Sequence, residues 1–129
     1  MDYLFLPGSP FPEATFQKIK LPAINGREAR LSGACTLNDR QILFSASVED
    51  TPDWTKDGPV LGSFIGSYNI NRKTVDACYL LQDVTGKPMK EKIESLDILH
   101  SQESEAISIV AVSDDDNGIS KLFRLRILK

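Results

Sequence analysis

Along much of the chain apolar and polar residues alternate with a period of two, in short runs cut by Gly, Pro, Asn and Asp. That period belongs to β-strands, where successive side chains point to opposite faces. In residues 74–81, Val75, Ala77, Tyr79 and Leu81 fall on one face, with Thr74, Asp76 and Cys78 on the other. In residues 121–128, Phe123, Leu125 and Ile127 oppose Arg124 and Arg126, which makes that strand amphipathic. Residues 106–112 are instead almost continuously apolar, the pattern of an inner strand covered on both faces. Residues 42–47 read the same way with smaller side chains, suited to close packing between sheets. The pattern predicts strands over residues 2–6, 15–21, 32–37, 41–48, 61–70, 74–81, 93–99, 106–113 and 119–128. Helical periodicity is nearly lacking: the best stretch, Lys87 to Leu96, contains Pro88 and has no sustained i, i+3, i+4 apolar stripe.

The strands fall into a repeat. Leu21-Pro-Ala-Ile24-Asn-Gly26 recurs as Leu81-Gln-Asp-Val84-Thr-Gly86, and Arg30 to Leu37 recurs as Lys92 to Leu99. Ile42 to Asp50 recurs more loosely as Ser108 to Asp116. The period is about sixty residues with about four short strands in each unit, the signature of a propeller blade. The expected fold is all-β: a partial β-propeller of about two four-stranded antiparallel blade-like sheets plus part of a third. Residues 1–129 then form one domain. Residues 1–30 end one blade and connect it onward, 31–91 form a complete blade, and 92–129 form a three-stranded last blade. So few blades cannot close a ring, and the last lacks its outer strand, which leaves Lys121 to Leu128 as an open edge. The expectation is either the C-terminal piece of a longer propeller or a homo-oligomer that covers those flanks.

An antiparallel meander sends alternate connections to opposite ends of its sheet. One end receives Glu49 to Pro59, Asp114 to Gly118, Asn25 to Arg30 and Gln82 to Glu91; the other receives Asn38 to Arg40, Asn71 to Lys73 and His100 to Glu105. The longest acid-rich loop therefore belongs to the first end, where a scaffold would carry binding function. That loop presents Glu49, Asp50, Asp53 and Asp57 with the only tryptophan, Trp54. Such a cluster could hold Ca²⁺, which takes six to eight oxygens, or a cationic group stacked on Trp54. The competing reading is a solvated loop tip whose Asp and Pro residues make turns. Asp114-Asp115-Asp116-Asn117-Gly118 departs from the EF-hand pattern, and Asn117-Gly118 reads as a tight hairpin turn. Even so, Asp114 or Asp115 could join Glu49 and Asp50 in a shared site. Glu94 opens an inner strand at the same end, either as a ligand-facing acid or as the partner of Lys90 or Lys92.

Composition narrows the function classes. Asp and Glu (18) outnumber Lys and Arg (15), which disfavours a nucleic-acid surface. No apolar run approaches the roughly 18 residues of a membrane span. The first residues, Met1-Asp-Tyr-Leu-Phe-Leu-Pro-Gly8, do not resemble a signal peptide, so a cytoplasmic location is expected if Met1 is the true start. Cys35 and Cys78 fall on strands several positions apart and read as small buried hydrophobes, not as a disulfide. No nucleophile elbow, Walker loop or zinc motif occurs, and the single histidine, His100, belongs to the end away from the acids.

Phe44-Ser-Ala-Ser-Val-Glu-Asp-Thr-Pro52, Asp57 to Gly66, Glu91 to Leu99 and the turn at Asp114 to Asp116 together resemble an uncharacterised bacterial family of β-propellers. The likeness runs from about Phe16 to Leu128 and implies the C-terminal part of such a protein. More distantly the chain is similar to phytase-like and lactonase-like propellers, which carry a Glu-Gly pair on an inner strand and bind Ca²⁺ in the channel. Glu94 matches that acid, whereas Ser95 stands in place of the glycine. The leading expectation is a non-enzymatic binding or scaffold module with an acidic ligand-facing rim of Glu49, Asp50, Asp57, Glu94, Asp114 and Asp115, with Trp54 for stacking. The alternative is a Ca²⁺-dependent hydrolase of the phytase or lactonase type.

Overall fold

A computed structural model describes residues 13–50, 58–100, 106–114 and 118–128. Its elements, in chain order, are β1 (Ala23–Ile24), β2 (Arg27–Glu28), β3 (Arg30–Thr36), β4 (Gln41–Glu49), β5 (Val60–Asn69), β6 (Thr74–Leu80), β7 (Ile93–His100), β8 (Ala106–Asp114) and β9 (Ser120–Leu128). No helix occurs among the described residues. The strands form antiparallel sheets ordered β1-β2, β3-β4-β5-β6 and β7-β8-β9.

β4 shows how the sequence builds the interior. Its residues 43–48 are all buried, because the two faces of the strand enter two different cores. Leu43 joins Ile65 of β5 and Ile93, Leu96, Ile107, Ile109 and Ala111 of the three-stranded sheet. Phe44, Ala46 and Val48 point the other way, against Phe64 and the N-terminal segment carrying Leu21 and Ala29. The apolar run in β4 is thus a strand covered on both sides, as the sequence predicts.

Serines line the junction of the two larger sheets. Ser45, Ser47 and Ser63 are buried, yet each hydroxyl has a partner. The Ser47 and Ser63 hydroxyls lie 2.9 Å apart, and Ser63 donates to the Glu91 carbonyl at 2.5 Å. Ser45 pairs with Ser32 at 2.9 Å and reaches the Ile93 carbonyl at 3.5 Å. These contacts tie β4 and β5 to the residues leading into β7, and no buried side-chain polar atom is left unpaired among the described residues. Gly33 allows a close approach where β3 meets β7, since a Cβ there would stand 3.0 Å from the Glu94 carbonyl oxygen.

The sixty-residue repeat reappears in the backbone ahead of β3 and β7. In the first unit Asn25 and Gly26 have φ of 52° and 77°, the residues that join β1 to β2, and Ala29 N–H donates to Pro22 O at 2.8 Å. In the second, Gly86 has φ of 84°, Gln82 bridges Pro88, and Met89 N–H donates to Leu81 O at 3.0 Å.

Three expectations change. Residues 15–21 form no strand; the pairing falls on β1 and β2, because the Asn25-Gly26 turn closes a hairpin there. The face assigned to Val75, Ala77, Tyr79 and Leu81 is broken by a bulge opposite Ser67 and Tyr68. Val75, Cys78 and Leu80 therefore pack on one core, while Tyr79 is exposed. Among the described residues only one face of β8 is fully covered: Ile107, Ile109 and Ala111 are buried, but Ser108, Val110 and Val112 are only half-buried. The strand expected over residues 2–6 lies outside the described residues.

Candidate functional site

β4 and β7 bring the sequence-predicted acids together. Glu49 is the last residue of β4 and Glu94 the second of β7, and β7 packs on both β3 and β4. Lys92, just before β7, places its ammonium Nζ 2.9 Å from Glu49 Oε1 and 3.7 Å from Glu94 Oε1. Asp50 sits beside Glu49, and its carboxylate lies 3.5 Å from Arg27 Nε. Asp114 ends β8 and accepts a hydrogen bond from Ser120 Oγ at 3.3 Å. Trp54, Asp57 and Asp115 lie outside the described residues. His100 ends β7, opposite Ser108 and at the far end of that strand from Glu94.

A cleft of about 970 Å³ opens here between the N-terminal segment, β3 and the start of β7. Its charged lining is Arg27, Arg30 and Lys92 with Glu28, Glu49 and Glu94, so cations match acids one for one. The lining of this cleft is therefore charge-balanced; Asp50 and Asp114, also at this sheet end, do not line it. Among the described residues no three His, Cys, Asp or Glu side chains converge in a group that could hold a metal ion.

The residues flanking Lys92 explain how it is aimed. Glu91 accepts from Ser113 Oγ at 3.3 Å and pairs with Lys121 of β9, while its carbonyl accepts from Ser63. Glu91 therefore reaches into the three-stranded sheet while Lys92 reaches back to β4. Sequence reasoning named Lys92 as a partner for Glu94, and the two do pair, but it missed the bridge from Lys92 to Glu49 and missed Arg27, Glu91 and Lys121 altogether. Their only signal is position, beside the sheet ends whose loops share a rim.

Partly exposed ion pairs of this kind contribute about 0.2–1 kcal/mol each, so the arrangement matters less for stability than for what can replace it. A ligand bearing a cationic group could take Lys92's place between the two carboxylates. Cys35 and Cys78 are free and occupy the outer strands β3 and β6. Burial pushes both thiols upward; at Cys35 the Asp97 carboxylate adds to it, against a backbone hydrogen bond from Ile98. Thiols so shifted hold little thiolate at neutral pH.

Fold and site together define an all-β protein of stacked antiparallel sheets with a charged cleft at their junction. Residues 1–127 match the model of a family of unknown function (DUF6929), and the chain belongs to that family. Comparison with curated proteins and with solved structures gave no match.

Proposed function

We propose that the chain is a non-enzymatic binding or scaffold module, part of a propeller completed by further sheets or by further copies of itself. Its ligand-facing rim is the sheet end bearing Glu49, Asp50, Glu94 and Asp114. One observation carries the binding reading: Lys92 bridges two carboxylates from different sheets at the mouth of a cleft of about 970 Å³. The propeller reading is supported by the recurring hairpin before β3 and β7, and by two successive meanders stacked with β3 beside β7. Oligomerisation would cover the flank that the three-stranded sheet leaves open.

Thermal unfolding with spermidine and calcium chloride tests the rim. Replacing Lys92→Met leaves the Glu49 and Glu94 carboxylates without their internal cation. Spermidine is expected to raise the Tm of that variant by about 3 °C or more, beyond its effect on the wild type. Adding Glu49→Gln and Glu94→Gln to the variant abolishes the difference. Equal responses of all three proteins contradict the rim as a ligand site. A calcium response that Glu94→Gln removes, accompanied by hydrolysis of phosphoesters or lactones, would favour the hydrolase reading instead.

A further inference from the structure

Beyond Ser120 and Lys121, which contact Asp114 and Glu91, the rim makes no use of β9 at the far edge of the three-stranded sheet. β9 pairs with β8 along its whole length, from Ser120 opposite Asp114 to Leu128 opposite Ala106, and no described strand lies on its other side. About half of its backbone N–H and C=O groups therefore point away from β8, along an open ladder. Phe123, Leu125 and Ile127 are half-buried against the shared core. Leu122, Arg124, Arg126 and Leu128 are exposed, Leu122 by 73 % and Leu128 by 70 %.

The charges on this edge have one sign. β9 carries Lys121, Arg124 and Arg126 and no acid. The residues opposite Arg124 and Arg126 on β8 are Val110 and Ser108, neither of which bears a charge. Among the described residues the ion pairs do not include either arginine. The four-stranded sheet shows the contrasting state. Its third strand, β5, is flanked by β6, whose acid Asp76 accepts from Arg72 Nη2 at 2.9 Å and from Gln41 at 3.3 Å.

We infer that β9 is an acceptor edge for a fourth strand supplied by an extended acidic peptide with carboxylates at alternate positions. Strand addition provides main-chain hydrogen bonds for affinity and alternate side chains for specificity. Carboxylates opposite Arg124 and Arg126 form favourable cross-strand pairs, and the apolar residues between them fall on the other face, beside Phe123, Leu125 and Ile127. Two-fold pairing with β9 of a second copy is disfavoured by the same charges. Centred on Arg124, it would set that residue directly against the partner's Arg124. The inference deepens the assembly reading above, since it states what chemistry the covering strand must have.

The probe is a peptide carrying fluorescein on its N-terminal amine, fluorescein-Thr-Glu-Val-Glu-Val-Glu-Thr-amide, with an analogue in which lysine replaces each glutamate. Fluorescence anisotropy with the full chain is expected to show the glutamate peptide binding about tenfold tighter than the lysine peptide. The double variant Arg124→Glu/Arg126→Glu is expected to reverse that order. If the double variant fails to fold, single Arg124→Gln and Arg126→Gln variants carry the test, each weakening the glutamate peptide about threefold. Equal affinities for the two peptides, an order unchanged in the variants, or no binding of either peptide overturns the proposal. Glu49→Gln leaves peptide binding unchanged, so failure at the rim and failure at β9 are read separately. A chain that stays monomeric yet binds the peptide keeps the acceptor edge and removes the self-assembly reading.

Discussion

The four-stranded and three-stranded sheets are built as the same antiparallel meander, and they differ in how many of their faces and edges are covered. The four-stranded sheet has the three-stranded sheet on one side and the Leu21 to Ala29 segment on the other, so β4 buries six successive residues. Among the described residues the three-stranded sheet is covered on one face only, and β8 returns to simple alternation of buried and half-buried positions. An apolar run therefore has two meanings in this chain. In β4 it records packing already present within the protein; in β8 its outward members, Val110 and Val112, lie on a face that nothing described covers.

Paired substitutions in β8 should break the comparison most sharply. Ile109 is fully buried in the core shared by both sheets, and Ile109→Ala is expected to cost about 2–5 kcal/mol in urea unfolding. Its neighbour Val110 faces the uncovered side, and Val110→Ala should cost about 1 kcal/mol or less. Similar losses at the two positions would mean that the outer face is covered in solution.

A smaller effect concerns pH. Asp76 is held below the ordinary carboxylate range, chiefly by the Thr74 hydroxyl, with Arg72 and Gln41 adding to it. Asp83 is lowered mainly by the Thr85 hydroxyl, with backbone N–H groups of the same turn assisting. A carboxyl whose folded pKa is depressed contributes stability above its unfolded pKa and loses it as pH falls through the folded value. Both residues are exposed, so the expected effect is slight. Carboxyl-carbon NMR titration should place both midpoints below about 3.9, the unperturbed Asp value. Asp76→Asn should make unfolding slightly less acid-sensitive, and an unchanged acid profile would contradict the role given to that carboxylate.

Seven of the nine described strands were legible from alternation, short apolar runs and turn residues, because a half-buried strand writes its own period. β3 to β9 begin and end within about two residues of the predicted positions. What escaped was set by contacts distant in sequence. The bulge opposite Ser67 and Tyr68 reverses the face of Val75, and no local pattern announces it. β8 reads as doubly covered because Val110 and Val112 are apolar, yet the sequence does not say what would cover them. At the rim, the gathering of Glu49 with Glu94 follows from meander topology and was foreseeable. The bridging role of Lys92 depends on how β7 docks on β4, which single-chain periodicity does not encode.

Residue-resolved hydrogen exchange on the dilute chain tests the open edge of β9 most directly. With one flank bonded to β8 and the other open, alternate β9 amides should exchange roughly 10–100-fold faster than their neighbours, while β4 amides are all slow. Adding the glutamate peptide should erase that alternation. Uniformly slow exchange across Ser120 to Leu128 in the dilute chain alone would contradict the account, since it would show the edge already paired.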